Sequence, residues 1–227
     1  MNSSKRLCVI PARGGSKRIP GKNIKDFLGK PIISYSIQTA LESNLFDMTM
    51  VSTDSEEIAE ISLKQGAEVP FLRSSSSSDD NSTLSDVINE VYSQLKNNGQ
   101  DFKYICCILP TAALILKEDL EKAFDLLVKK DFHSVRPVVE FSYPVQRAYK
   151  LMGDKVEFIN PELKNTRSQD LPKVYHDAGQ FYWMQSKYGL KGDNKGAIII
   201  PETRMQDIDT FEDWKLAELK YKLLNNL

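Results

Sequence analysis

Arg13, Lys17, Arg18, Lys22 and Lys25 crowd into one short stretch of the chain, with Gly14, Gly15, Pro20 and Gly21 interleaved among them. That density of positive charge, on a backbone whose paired glycines free amide groups, suits a bound polyphosphate. Ser16 and Asn23 add uncharged hydrogen-bonding groups. Spacing excludes a Walker-type phosphate loop, which needs Gly, four residues, then Gly-Lys-Ser/Thr. Here five residues separate Gly15 from Gly21, Asn23 stands where the hydroxyl residue belongs, and Pro20 interrupts. A Gly-x-Gly-x-x-Gly dinucleotide fingerprint is absent too. The competing reading is a solvated basic turn; the apolar run 7–10 directly before the glycine pair argues against it.

A second chemical element lies near the carboxyl terminus. Asp207 and Asp209 flank the apolar Ile208, so in an extended segment both carboxylates point to one face. Two carboxylates on one face repel unless a cation sits between them. Mg²⁺, a hard ion that takes one or two carboxylates plus phosphate oxygens, is the natural occupant. Alternatively Asp209 or Thr210 caps a closing helix at 211–224. The two histidines, His133 and His176, form no Ser/His/Asp constellation and no zinc spacing.

The elements that must position these groups read as alternating strands and helices. Short apolar runs at 7–10, 48–51, 104–109, 134–139 and 196–201 are expected strands, and 68–72 a further extended segment. Helical spacing recurs at 31–41, 56–64, 84–95 and 116–128. Ser55 or Asp54 is placed to cap the second helix and Thr83 the third. This rhythm predicts an α/β fold around a mostly parallel sheet, with ligands bound beyond the carboxyl ends of the strands. Asp54, Arg73 and Pro110–Thr111 fall at that edge. From 140 to 191 aromatic residues and prolines thicken and helical periodicity disappears, as expected of an insertion into a core formed by 1–139 and 192–227. The serine run at 74–78 is polar and of low complexity.

Composition sets outer limits. The chain has 227 residues, enough for one large domain or one domain with an insertion. A net charge of −1 gives no reason to expect nucleic acid or an anionic membrane as partner. Cys8, Cys106 and Cys107 all lie in apolar runs and read as reduced thiols of a cytoplasmic protein. The four apolar residues at 7–10 are too short for a signal peptide or membrane span.

The run VIPARGGSKRIPGKNI at 9–24 resembles the signature of the cytidylyltransferases that make CMP-activated acidic sugars. The resemblance implies a Rossmann-like sheet of nucleotidyltransferase type with a small inserted dimerisation arm. It implies that Ala12, Arg13, Gly14, Gly15, Ser16, Lys22, Asn23, Arg73 and Thr83 bind CTP, with Arg73 and the following serine loop at the cytosine. The run QDID at 206–209 is similar to the family's metal-binding element, which implies Mg²⁺ on Asp207 and Asp209 and catalytic roles for Arg13, Lys22 and Asp209. PVQRA at 144–148 and TRSQDLP at 166–172 resemble its sugar-side motifs. They imply that Gln146, Arg147 and Arg167 meet the sugar, with His176 and Gln180 from the run YHDAGQFYW at 175–183. That run is most like the pseudaminic acid branch, where sialic acid enzymes carry Asn-Gly. Leu109 likewise replaces the glutamine that faces the sugar in many sialic acid enzymes. The expectation is CMP transfer from CTP to pseudaminic acid in a cytoplasmic homodimer. Rival readings are a CMP-sialic acid or Kdo synthetase, a related glycosyltransferase, and a non-catalytic nucleotide sensor.

Overall fold

The computed structural model describes residues 4–73 and 83–227. In chain order, β1 (Arg6–Pro11) leads through the basic loop to the short pair β2 (Asp26–Phe27) and β3 (Lys30–Pro31). Helix α1 (Ile33–Glu42), β4 (Met48–Ser52), α2 (Glu56–Lys64), α3 (Leu84–Asn97), β5 (Tyr104–Ile108), α4 (Lys117–Lys129) and β6 (Ser134–Glu140) follow. The hairpin β7 (Tyr149–Met152) and β8 (Lys155–Phe158) precedes β9 (Tyr175–Asp177), β10 (Phe181–Gln185), β11 (Lys195–Ile199) and α5 (Phe211–Asn225).

The main sheet runs β11-β6-β10-β5-β1-β4, with β9 also paired to β6. Strands β4, β1 and β5 are mutually parallel, as are β6 and β11, while β10 runs antiparallel between β5 and β6. Strands β1, β4 and β5 are buried almost throughout because helices cover both faces of the sheet. One face packs Ile33 and Ile37 of α1, Ile58 of α2 and Leu120 of α4 against Cys8, Ile10, Cys106 and Trp183. The other packs Ile88, Val91 and Leu95 of α3 against Leu7, Val9, Ile105 and Met184.

A third cluster carries the functional geometry. Phe27, Tyr35, Trp214 and Tyr221 meet edge-on, with ring centroids 4.9–5.8 Å apart, and Ile19 and Ile208 are buried in the same cluster. Ile208 is 1% exposed. Burying such a side chain contributes about 1.5–3 kcal/mol, more than an exposed ion pair supplies. Apolar packing therefore pins the aspartate-bearing segment against the loop that follows β1.

Two expectations change. The segment 68–72 makes one bridge, Glu68 to Met50, and no longer strand; Pro70 has no N–H to extend the ladder. The stretch 140–191 does not stand outside the core as a block. Residues 181–185 form β10 inside the main sheet, with Phe181, Trp183 and Met184 fully buried. What projects is the part between β6 and β9, including the β7–β8 hairpin, which belongs to a separate two-stranded sheet.

Candidate active site

The carboxyl ends of β1 and β5 open onto a cleft of about 280 Å³. One wall is cationic, made by Arg13, Lys17, Arg18, Lys22 and Arg73; Leu84, Val87, Leu109 and Pro110 supply apolar surface, and Asp207 also lines the cleft. The loop after β1 is held in place by its own polar groups. Ala12 N–H donates to Ser52 O at 2.9 Å, and Asn23, buried, donates its side-chain amide to Arg13 O at 2.9 Å. Gly14 N–H donates to Asp54 Oδ1 at 2.9 Å. A Cβ on Gly14 would stand 3.2 Å from that of Ser55, so the close approach of the loop to the start of α2 favours glycine. Gly21, at φ +61°, takes the left-handed turn that opens the short 3₁₀ turn Lys22–Ile24.

The amides of Gly14 and Ser16 donate within the protein, to Asp54 and to Gly14 O. The positive field of the cleft thus comes mainly from side chains. Gly15 is exposed and does not line the cleft. Arg73 is buried and donates to Ser52 O; burial lowers its pKa and Asp54 opposes the shift. The serine run after it lies outside the described residues.

Lys22 joins the two ends of the chain. Its ammonium donates to Ile208 O at 2.6 Å and lies 3.9 Å from Asp209 Oδ1. Burial lowers its pKa, while Asp209 and then Asp207 push it back up, so both carboxylates act on the same ammonium. Arg18 donates to the other oxygen of Asp209. The capping alternative is divided by the structure: Thr210 accepts from Asp213 N–H and caps α5, and the Asp209 carboxylate faces the loop.

Thr83 is likewise a cap. Its hydroxyl accepts from Asp86 N–H at the start of α3, and it does not line the cleft. Arg147 and His176 are elsewhere, lining a second cavity of about 680 Å³ with Phe141, Tyr149 and Glu202. His176 packs on Phe141 at 4.8 Å, and its Nδ1 contacts Asp177 O. Gln146 donates to Pro172 O at 2.7 Å, bracing the projecting segment. Arg167 is exposed and lines neither cavity. Gln180 is buried and ties β10 to the carboxyl-terminal segment: its side chain donates to Arg204 O and its carbonyl accepts from Leu109 N–H. Leu84 and Val87 join the cleft without any chemical signal in the sequence, and Arg18 joins it as one of the cations of the basic loop. Arg18 was legible only as charge, and the two apolar residues only as a helix stripe.

A basic loop after the first strand, facing a carboxylate segment across a strand-edge cleft, is an arrangement for an anionic nucleotide. The chain belongs to the cytidylyltransferase family, whose model matches residues 7–213. It is 42% identical to the pseudaminic acid cytidylyltransferase of Campylobacter jejuni serotype O:2, over 96% of this chain and 97% of that one. N-acylneuraminate cytidylyltransferase A of Danio rerio is 34% identical over 92% of this chain and 49% of its own. Among solved structures, a CMP:2-keto-3-deoxy-manno-octonic acid synthetase complexed with CTP has the same fold. It aligns with a TM-score of 0.71 and 17% identity over 99% of this chain and 100% of that one.

Proposed function

We propose that this chain transfers CMP from CTP to the anomeric hydroxyl of pseudaminic acid and releases pyrophosphate, acting in the cytoplasm as a homodimer. The observation that carries the reading is the meeting of Lys22 with Ile208 and Asp209, which brings the phosphate loop and the carboxylate pair to one cleft. The choice of sugar is supported by the similarity to the Campylobacter jejuni enzyme and by Leu109 at the cleft.

In this mechanism Arg13 and Lys22 align the triphosphate, and Asn23 and Arg73 take the base. The anomeric hydroxyl loses its proton to solvent as its oxygen bonds to the α-phosphorus, and the bond from that phosphorus to the bridging oxygen breaks, its electron pair leaving with pyrophosphate. Such a displacement asks the protein mainly for positioning and charge neutralisation. Arg13 and Lys22 would stabilise the charge that builds on the departing pyrophosphate. Asp207 and Asp209 would hold Mg²⁺ as hard-oxygen donors: both carboxylates act on the Lys22 ammonium, and Ile208 between them is buried. When bound there, the ion would make the α-phosphorus more electrophilic. No histidine lines the cleft among the described residues.

Arg147 and His176 supply a guanidinium and an imidazole for an acidic sugar, but in the second cavity. The projecting hairpin next to that cavity carries Tyr149, Leu151, Val156 and Phe158 on one face. Leu151 is 72% and Val156 58% exposed, and a lone two-stranded hairpin needs cover to be stable. Packing of the arm against a second copy supplies that cover and carries the second cavity towards the partner's cleft.

The test is pyrophosphate release from CTP and Mg²⁺ with pseudaminic acid, N-acetylneuraminic acid and Kdo side by side. Release with pseudaminic acid alone is the expected result. Preference for another of the three sugars would keep the chemistry and overturn the sugar. Calorimetric CTP binding without release from any of them would reveal a nucleotide sensor instead.

A further inference from the structure

Arg18 sits in the irregular stretch between Ser16 and Pro20, and its guanidinium pairs with Asp209 across 191 residues of sequence. The two side chains are unequal partners. Asp209 is anchored: its N–H donates to Asp213 Oδ2 at 3.1 Å, and the preceding Ile208 is sealed into the aromatic cluster. Arg18 is a long side chain on a loop, 69% exposed against 39% for Asp209. Lys22, the other cation at this carboxylate, is held by Ile208 O. Arg18 is therefore the cation that can leave. Its side chain also lines the cleft beside Arg13, Lys17 and Lys22, so the same guanidinium reaches either the carboxylate or an anion bound there.

A divalent cation and a guanidinium compete for the same carboxylate. A hard dication needs the oxygen at about 2.0–2.1 Å, and the two positive charges repel. An exposed pair such as Arg18–Asp209 is weak, worth a factor of about two to five in an equilibrium, so it yields readily to the ion.

We infer that Arg18 is an exchangeable counter-ion of the cleft. It neutralises Asp209 until a divalent cation takes that carboxylate, then turns to the terminal phosphates of the nucleotide. Binding of the cation and grip on the leaving pyrophosphate are thereby coupled through one side chain. The inference rests on the proposed cytidylyltransferase site and adds to it the order in which its charges pair.

The experiment uses the full chain and two probes. Mn²⁺ alone is titrated without nucleotide, with free ion read by electron paramagnetic resonance, and pyrophosphate with saturating Mg²⁺ is followed by calorimetry. Arg18→Gln is expected to bind Mn²⁺ about two- to fivefold more tightly and pyrophosphate about tenfold more weakly. Arg18→Lys should recover most of the pyrophosphate affinity. Mn²⁺ affinity that is unchanged or lower in Arg18→Gln would overturn the exchange, as would unchanged pyrophosphate affinity. If wild type and Arg18→Gln bind CTP equally and show no difference with either probe, the exchange alone fails. If the wild type takes up neither CTP nor Mn²⁺, the proposed function fails with it.

Discussion

Asp209 shows how much depends on a single oxygen pair. Its two oxygens face Arg18 and Lys22, while its backbone is tied down by Asp213. Replacing it removes the charge that the proposed metal site needs and leaves the packing of Ile208 in place. Asp209→Ala is expected to cost about 10²–10³ in turnover at limiting Mg²⁺ while CTP still binds. Wild-type turnover in that assay would show the metal assigned to the wrong residue. The basic loop and the aspartate pair were both legible in the sequence, because charge density and alternation around an apolar residue are local properties. Their pairing was not. Arg18–Asp209 and Lys22–Ile208 span nearly the whole chain, and no periodicity encodes which distant loop an aspartate will face.

Elements were read from the sequence with uneven success, for a physical reason. Helices α1 to α4 announce themselves by apolar stripes and α2, α3 and α5 by side-chain caps, and Thr83 proves to be one of those caps. Thr83→Ala is expected to lower stability by about 1 kcal/mol and leave CTP affinity unchanged. Asp86 completes the box by accepting from Thr83 N–H and Oγ1–H, bonds that hold its carboxyl below the ordinary 3.8. A carboxyl with a depressed folded pKa adds stability that is complete above its unfolded value and is lost as pH falls through the folded one. Asp86→Asn should therefore flatten the loss of stability below about pH 4, as followed by urea unfolding. Strand β10 was harder to see. Its run FYWMQ is apolar on both faces and shows no alternation, and an antiparallel strand that returns after a long excursion has no local signal. The same residues that resemble a sugar-side motif turn out to hold the middle of the sheet: Trp183 packs on Phe46 and Phe124 and donates to Leu120 O at 3.1 Å.

For the whole molecule, the separation of the two cavities makes assembly a question of activity. With the proposed dimer, Leu151→Glu combined with Val156→Lys should yield a monomer in sedimentation velocity that still binds CTP and no longer responds to the sugar. A wild-type chain that sediments as a monomer at working concentration would sink the arm's role in assembly. No helix among the described residues is long and apolar enough to cross a membrane. The position of β10 also bears on how the chain is made. Every sheet partner of β6 comes later in the sequence than β6 itself. Once Glu140 has emerged from the ribosome, β4, β1 and β5 can pair into a three-stranded sheet, but the outer edge of β5 and the strand β6 lack their β10 partner. Both wait until Gln185 has emerged. Translation pauses within the projecting arm would prolong the life of those bare strand edges, the moment at which neighbouring nascent chains can pair wrongly.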